Sequence, residues 1–188
     1  MRLFTGIGIA PHVLDNLARV LNELRPLAPL NWSPVENLHI TSKFIGPWPE
    51  SRLAELEAAL EAVNRPETFE VTISRFGYFP NPYHPKTLFV GVHAGKSLAD
   101  LASRIDQTLQ PMGVAKEDRP YSPHLTLARI KHENIRELRE HIANMTNFDF
   151  GTFQVSEFHL YSSKTGPAGS IYTPLDAYPL PTVASIKA

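Results

Sequence analysis

The stretch Asn37-Leu38-His39-Ile40-Thr41-Ser42-Lys43-Phe44-Ile45 opens on an alternation of polar and apolar residues, and Pro123-His124-Leu125-Thr126-Leu127-Ala128-Arg129 repeats its central triplet. Alternation with a period of two marks a strand with two unlike faces. His39 and Thr41 then share one face, and Leu38 and Ile40 the other. His124 and Thr126 share a face in the same way, opposite Leu125 and Leu127. Each strand offers an imidazole and a hydroxyl on one side, while apolar side chains anchor the other in a core. Chance placement of the 8 histidines and 12 threonines gives about 0.5 H-x-T triplets, so one copy would carry no information.

The two copies lie in register within a longer repeat. A shift of 85 residues sets Leu3-Phe4-Thr5-Gly6 on Leu88-Phe89-Val90-Gly91, Arg19-Val20 on Arg104-Ile105, Leu24 on Leu109, Pro26 on Pro111 and Ile45 on Ile130. Strand, helix, proline and strand recur without a gap. The expectation is a single domain over residues 1–188, with an internal pseudo-repeat of about 1–85 and 86–188. Two lobes related by a pseudo-twofold axis would bring equivalent residues together across a shared cleft.

Working outward, residues 3–9 read as a strand. Val13, Leu14, Leu17, Val20, Leu21 and Leu24 form one helical stripe over 11–25. A second helix is expected over 51–63 with Ser51 as N-cap, and a third over 97–109 with Ser97 and Asp100 as a capping box. A fourth spans 134–145. Further strands are expected at 69–73, 88–92, 124–130, 153–161 and 170–178, the last two joined by a glycine-containing turn. Phe79–Lys86, with three prolines, reads as a loop. The count is about seven strands and four helices.

Composition narrows the function. Hydrophobic residues make up 43% and charged residues 20% of 188, an ordinary globular balance. Eighteen basic and nineteen acidic residues leave a net charge of −1, so no global positive field exists to hold a long polyanion. Cysteine is absent, which excludes disulfides, thiol nucleophiles and zinc-thiolate sites. No apolar run approaches the roughly 20 residues a bilayer span requires, and the N-terminal segment lacks the cleavage signature of a secretory leader. The expectation is a cytoplasmic protein with no membrane association and no obligate protein partner. The remaining histidines show no metal-ligand spacing, so neither metal nor cofactor is expected. Residues 91–97 resemble a phosphate-binding loop one residue too short, with Val90 where a glycine is needed.

Two imidazoles and two hydroxyls facing one another suit in-line displacement at phosphorus. One histidine takes a proton from the attacking oxygen, and the other gives one to the leaving oxygen on the opposite side. An unperturbed pKa of about 6.5 lets one be neutral while the other is protonated. The hydroxyls donate hydrogen bonds to the non-bridging oxygens. A 2′,3′-cyclic phosphate, strained and singly charged, suits this device.

The segments Glu36–Gly46 and Tyr121–Arg129 resemble the paired motifs of the 2H phosphoesterase superfamily, specifically the RNA 2′,3′-cyclic phosphodiesterases once named 2′-5′ RNA ligases. The opening Met1–Ile7, Phe76–Pro80, Thr87–Val92 and Phe158–Ser163 extend the resemblance over nearly the whole chain. It implies an α/β (α+β) bilobal fold, each lobe a sheet flanked by helices, with the site in the central cleft. It implies hydrolysis of a terminal 2′,3′-cyclic phosphate on RNA, or on small cyclic nucleotides, to a 2′-phosphomonoester. His39 would be the proton donor and His124 the proton acceptor, with Thr41 and Thr126 on the phosphate; sequence symmetry alone leaves donor and acceptor open. Ser42 departs from the pattern, where the family carries an apolar residue, and is expected to weaken core packing locally.

Further substrate-binding candidates surround the motifs. Arg129 suits a phosphate contact, although strand parity places it on the Leu125 face. Arg119 and Tyr121 suit a nucleotide at a cleft edge by charge and stacking. Lys43 shares the His39 face and is expected at the cleft rim. Phe44 could stack on a base, whereas parity puts it in the core. The alternatives to hydrolysis are a non-catalytic module for RNA ends or nucleotide phosphates, and reversible 2′-5′ ligation.

Overall fold

A computed structural model of the chain describes residues 1–166 and 169–182. Nine strands and four α-helices are found among them. They run β1 Arg2–Gly8, α1 Pro11–Leu24, β2 Asn31–Trp32, β3 His39–Pro47, α2 Leu53–Glu61, β4 Phe69–Phe79, β5 Thr87–Ala94, α3 Lys96–Leu109, β6 His124–Arg129, α4 Arg136–Asn144, β7 Asp149–Val155, β8 Glu157–Gly166 and β9 Gly169–Pro179. The turn expected between the last two strands falls on residues 167 and 168, which lie outside the described residues.

Two antiparallel sheets form, ordered β3-β1-β8-β9 and β2-β6-β5-β4-β7. The halves of the repeat do not map onto the two sheets. β1 and β3 sit with β8 and β9 from the second half, and β5 and β6 sit with β4 from the first. Helices brace the same crossover. α1 follows β1 of the first sheet but packs on β7 of the second, while α3 connects β5 to β6 of the second and packs on β3 of the first. Of the stripe predicted for α1, Val13, Leu17, Leu21 and Leu24 are buried and Leu14 and Val20 partly buried; on α3 Leu98, Leu101, Ile105 and Leu109 are buried. One core results, and chain from both halves contributes to it.

Several local expectations are corrected. The single strand predicted over 153–161 is two strands in different sheets, β7 beside β4 and β8 beside β1. Only Ser156 separates them, and β-forming residues on both sides conceal the switch. Ser51 caps nothing: it lies in a 3₁₀ turn over Glu50–Arg52, and α2 has no side-chain cap. α3 starts one residue early, with Gly95 at its N-cap and no side-chain hydrogen bond there. Ser42 is buried, but its hydroxyl hydrogen-bonds the buried Thr5 hydroxyl at 2.9 Å. The repeat equivalents of this pair are Leu127 and Val90, so a satisfied polar pair replaces an apolar one and leaves no unpaired group.

The motif strands share a deformation. β1 pairs with β3 as Gly6↔Thr41 and then Thr5↔Lys43, leaving Ser42 unopposed. β5 pairs with β6 as Phe89↔Thr126 and then Leu88↔Ala128, leaving Leu127 unopposed. A bulge therefore occurs at equivalent residues, since 42 + 85 = 127. An extra residue reverses the facing of everything after it.

Candidate active site

His39 and His124 each open a motif strand, half-buried, with Thr41 and Thr126 two residues on. Each imidazole is held by the carbonyl two residues before it. Nδ1–H of His39 donates to Asn37 O at 2.7 Å, and Nδ1–H of His124 to Ser122 O at 2.8 Å. A carbonyl only accepts, so the Nδ1 proton is fixed and Nε2 is the working nitrogen of both rings. In neutral His39, Nε2 accepts from the Thr41 hydroxyl at 3.1 Å.

Burial lowers the pKa of both imidazoles below the ordinary histidine value of 6.5, against the raising effect of the carbonyl bonds. Charge on His124 lowers His39 further. Arg129 acts on His124 in the same direction. Desolvation disfavours the cation, and a neighbouring cation adds to that.

The bulges decide the remaining candidates. Both strands show the same burial sequence: half-buried His, buried, half-buried Thr, buried, buried, exposed. The two buried residues in succession are Ser42-Lys43 and Leu127-Ala128; Phe44 and Arg129 then emerge together. Arg129 thus leaves the Leu125 face that simple alternation assigned it, and Nη1 donates to the Thr87 hydroxyl at 2.7 Å. Phe44 is 65% exposed rather than core, for the same reason. Lys43 moves the opposite way. It is 2% exposed, its ammonium 2.6 Å from Asp106 and 3.1 Å from Glu117, and it donates to Ala115 O at 2.6 Å. It is no rim residue. Tyr121 is half-buried and packed against the core, with its hydroxyl donating to Thr41 O at 2.8 Å. Arg119 is exposed on the segment leading to it.

Aromatic rings that alternation did not identify enclose both imidazoles. Phe4 lies 4.7 Å and Tyr172 5.0 Å from the His39 ring, centre to centre, and Tyr161 stacks on Phe4 at 5.0 Å. Phe79 lies 4.8 Å and Phe89 5.4 Å from His124. Phe4 and Phe89 are repeat equivalents, so the aligned L-F-x-G segments held this signal. Tyr161 and Tyr172 come from the C-terminal strands and Phe79 from the end of β4, where no repeat marks them. Glycines leave room beneath: a Cβ on Gly6 would stand 2.9 Å from Ile40 O, and one on Gly77 2.3 Å from the Phe89 ring. Among the described residues no group of three or more His, Asp or Glu could hold a metal ion, and no helix is long and apolar enough to cross a membrane.

Two curled antiparallel sheets, each with one H-x-T strand, flanked by helices, make this an α+β protein. Residues 13–167 match the model of the 2′-5′ RNA ligase superfamily, and the chain belongs to that family. It is 33% identical to the RNA 2′,3′-cyclic phosphodiesterase of Methanothermobacter thermautotrophicus, over 96% of this chain and 99% of that one. It is 30% identical to the enzyme of the same name from Archaeoglobus fulgidus, over 95% and 99%. A crystal structure of a Thermus thermophilus protein superposes with a TM-score of 0.79 at 26% identity, covering 97% of this chain and 99% of that one.

Proposed function

We propose that the chain hydrolyses terminal 2′,3′-cyclic phosphates on RNA to 2′-phosphomonoesters, by acid–base catalysis between His39 and His124 without a metal ion. The carrying observation is the pair of identically tethered imidazoles, each with Nε2 left to work. Relatives named for this activity over nearly their full length support the substrate.

Arg129 supports one assignment of the roles. Its cation favours neutral His124, which suits the general base. Neutral His124 takes a proton from water as the water oxygen bonds to phosphorus. The P–O3′ bond breaks on the opposite side, and protonated His39 delivers its Nε2 proton to the departing 3′ oxygen. The 2′ ester bond stays, leaving a 2′-phosphate and a free 3′-hydroxyl. Thr41 and Thr126 donate to the non-bridging oxygens, and Arg129 supplies positive charge beside them. Phe44 offers an exposed face for a base, with Arg119 at the approach.

Product analysis on a cyclic-phosphate-ended oligonucleotide, with chelator present, tests this. A 2′-phosphate should form, and His39→Ala and His124→Ala should each lower kcat/KM by about 10³-fold or more. A 3′-phosphate product, loss of activity to the chelator, or either variant near wild type overturns it.

A further inference from the structure

Two contacts tie β3 to the chain that leads into β6, independently of any substrate. The Tyr121 hydroxyl donates to Thr41 O at 2.8 Å, and Tyr121 stands three residues before His124 while Thr41 stands two after His39. Lys43, two residues further along β3, presents three ammonium protons to three acceptors: Asp106 of α3, Glu117 and the Ala115 carbonyl. Asp106 also accepts from Glu117 N at 3.2 Å and Gln110 Nε2 at 2.9 Å. The segment 115–117, which leads through Arg119 and Pro120 to Tyr121, is thereby pinned to β3.

A buried lysine is costly unless every proton is met. The repeat equivalent of Lys43 is Ala128, which is also buried, so packing at this bulge position does not require a cation. What the cation provides is a fixed position for the chain that delivers Tyr121. An acid and a base acting on opposite sides of one phosphorus need a set separation, and an error of about 1 Å in such placement costs about 10²-fold.

We propose that Tyr121 and Lys43 are positioning residues that set the gap between His39 and His124: Tyr121 by its hydroxyl on the Thr41 carbonyl, Lys43 by pinning the segment that carries Tyr121. This rests on the reading of the two histidines as the acid–base pair.

The test measures kcat and KM on a cyclic-phosphate-ended oligonucleotide, melting temperature, and the NMR titration of the His39 ring, for wild type, Tyr121→Phe, Lys43→Met and the double variant. Tyr121→Phe should lower kcat about 10- to 100-fold with KM little changed. The His39 pKa should rise toward its ordinary value as water enters and His124 recedes. Lys43→Met should lower kcat similarly, and the double variant should be no worse than the worse single, because both act along one path. Should Lys43→Met fail to fold, Lys43→Met with Asp106→Asn removes the stranded carboxylate, and its kcat should still be low. Wild-type kcat in Tyr121→Phe, or in the folded Lys43→Met/Asp106→Asn protein, overturns the assignment, as does a double variant whose losses multiply. A wild-type protein that turns over nothing overturns the acid–base reading itself.

Discussion

Phe44 and Arg129 occupy equivalent positions in the two motif strands, each the first exposed residue after a bulge, and they differ completely in chemistry. The two motif strands therefore present one aromatic corner and one cationic corner. A nucleotide is built the same way, with a flat base at one end and an anionic phosphate at the other.

Substitutions at these corners should separate. Base–aromatic stacking is worth about 1–3 kcal/mol. Phe44→Ala should therefore raise KM about 5- to 100-fold for a cyclic nucleotide, while leaving a cyclic phosphate that carries no base unaffected. Arg129→Met should lower kcat/KM for both substrates, about 10- to 100-fold, because it removes a charge-assisted contact to the group they share. Steady-state kinetics on the two substrates checks this. Equal losses from Phe44→Ala on both would rule out stacking.

The pH dependence follows from the direction of the histidine shifts. On the proposed acid–base mechanism, the active form of the free protein has one imidazole protonated and the other neutral, and its population peaks between the two macroscopic pKa values. Both groups are drawn below 6.5, chiefly by burial. The kcat/KM profile should therefore peak on the acid side of pH 6.5 and fall as pH rises, as the protonated acid is lost. A bound phosphate anion favours the imidazolium, so the kcat profile should lie higher. Arg129→Met removes one of the causes lowering His124 and should shift the kcat/KM maximum upward. A maximum above neutrality in the wild type would contradict this account.

Local patterning revealed the motif strands, because alternation, helical stripes and the repeat are written in short windows of residues. His39, Thr41, His124 and Thr126 were legible for that reason. Phe44, Arg129 and Lys43 were misplaced for one shared reason: alternation counts residues, and an unopposed residue at 42 or 127 shifts the count by one. Nothing in Ser42 or Leu127 announces a bulge, since the bulge is set by pairing with β1 and β5. The sheet switch at Ser156 was hidden likewise, because β propensity does not say which sheet a strand joins. Tyr161, Tyr172 and Phe79 reach the imidazoles through that long-range pairing.

The glycines beneath the rings give the most local prediction. At Gly77 an added Cβ would lie 2.3, 2.6 and 2.9 Å from atoms of the Phe89 ring. That ring is stacked on Phe79 at 4.2 Å and lies beside His124, so it moves only by disturbing His124. At Gly6 the obstacle is Ile40 O, a backbone atom of the β1–β3 ladder, 2.9 Å away, with His39 Cδ2 at 3.4 Å. The strand itself must shift there. Each overpacked position should cost about 1–3 kcal/mol of stability, read from denaturant midpoints. Gly77→Ala should lower kcat through His124, and Gly6→Ala through His39 and Thr41. Gly8 sits opposite His39 in the same ladder, yet its Cβ would meet only the Tyr161 hydroxyl at 3.8 Å, an ordinary contact. Gly8→Ala should therefore change stability by no more than about 0.5 kcal/mol. If all three variants behaved alike, the close approach of backbone and ring would not be what these glycines serve.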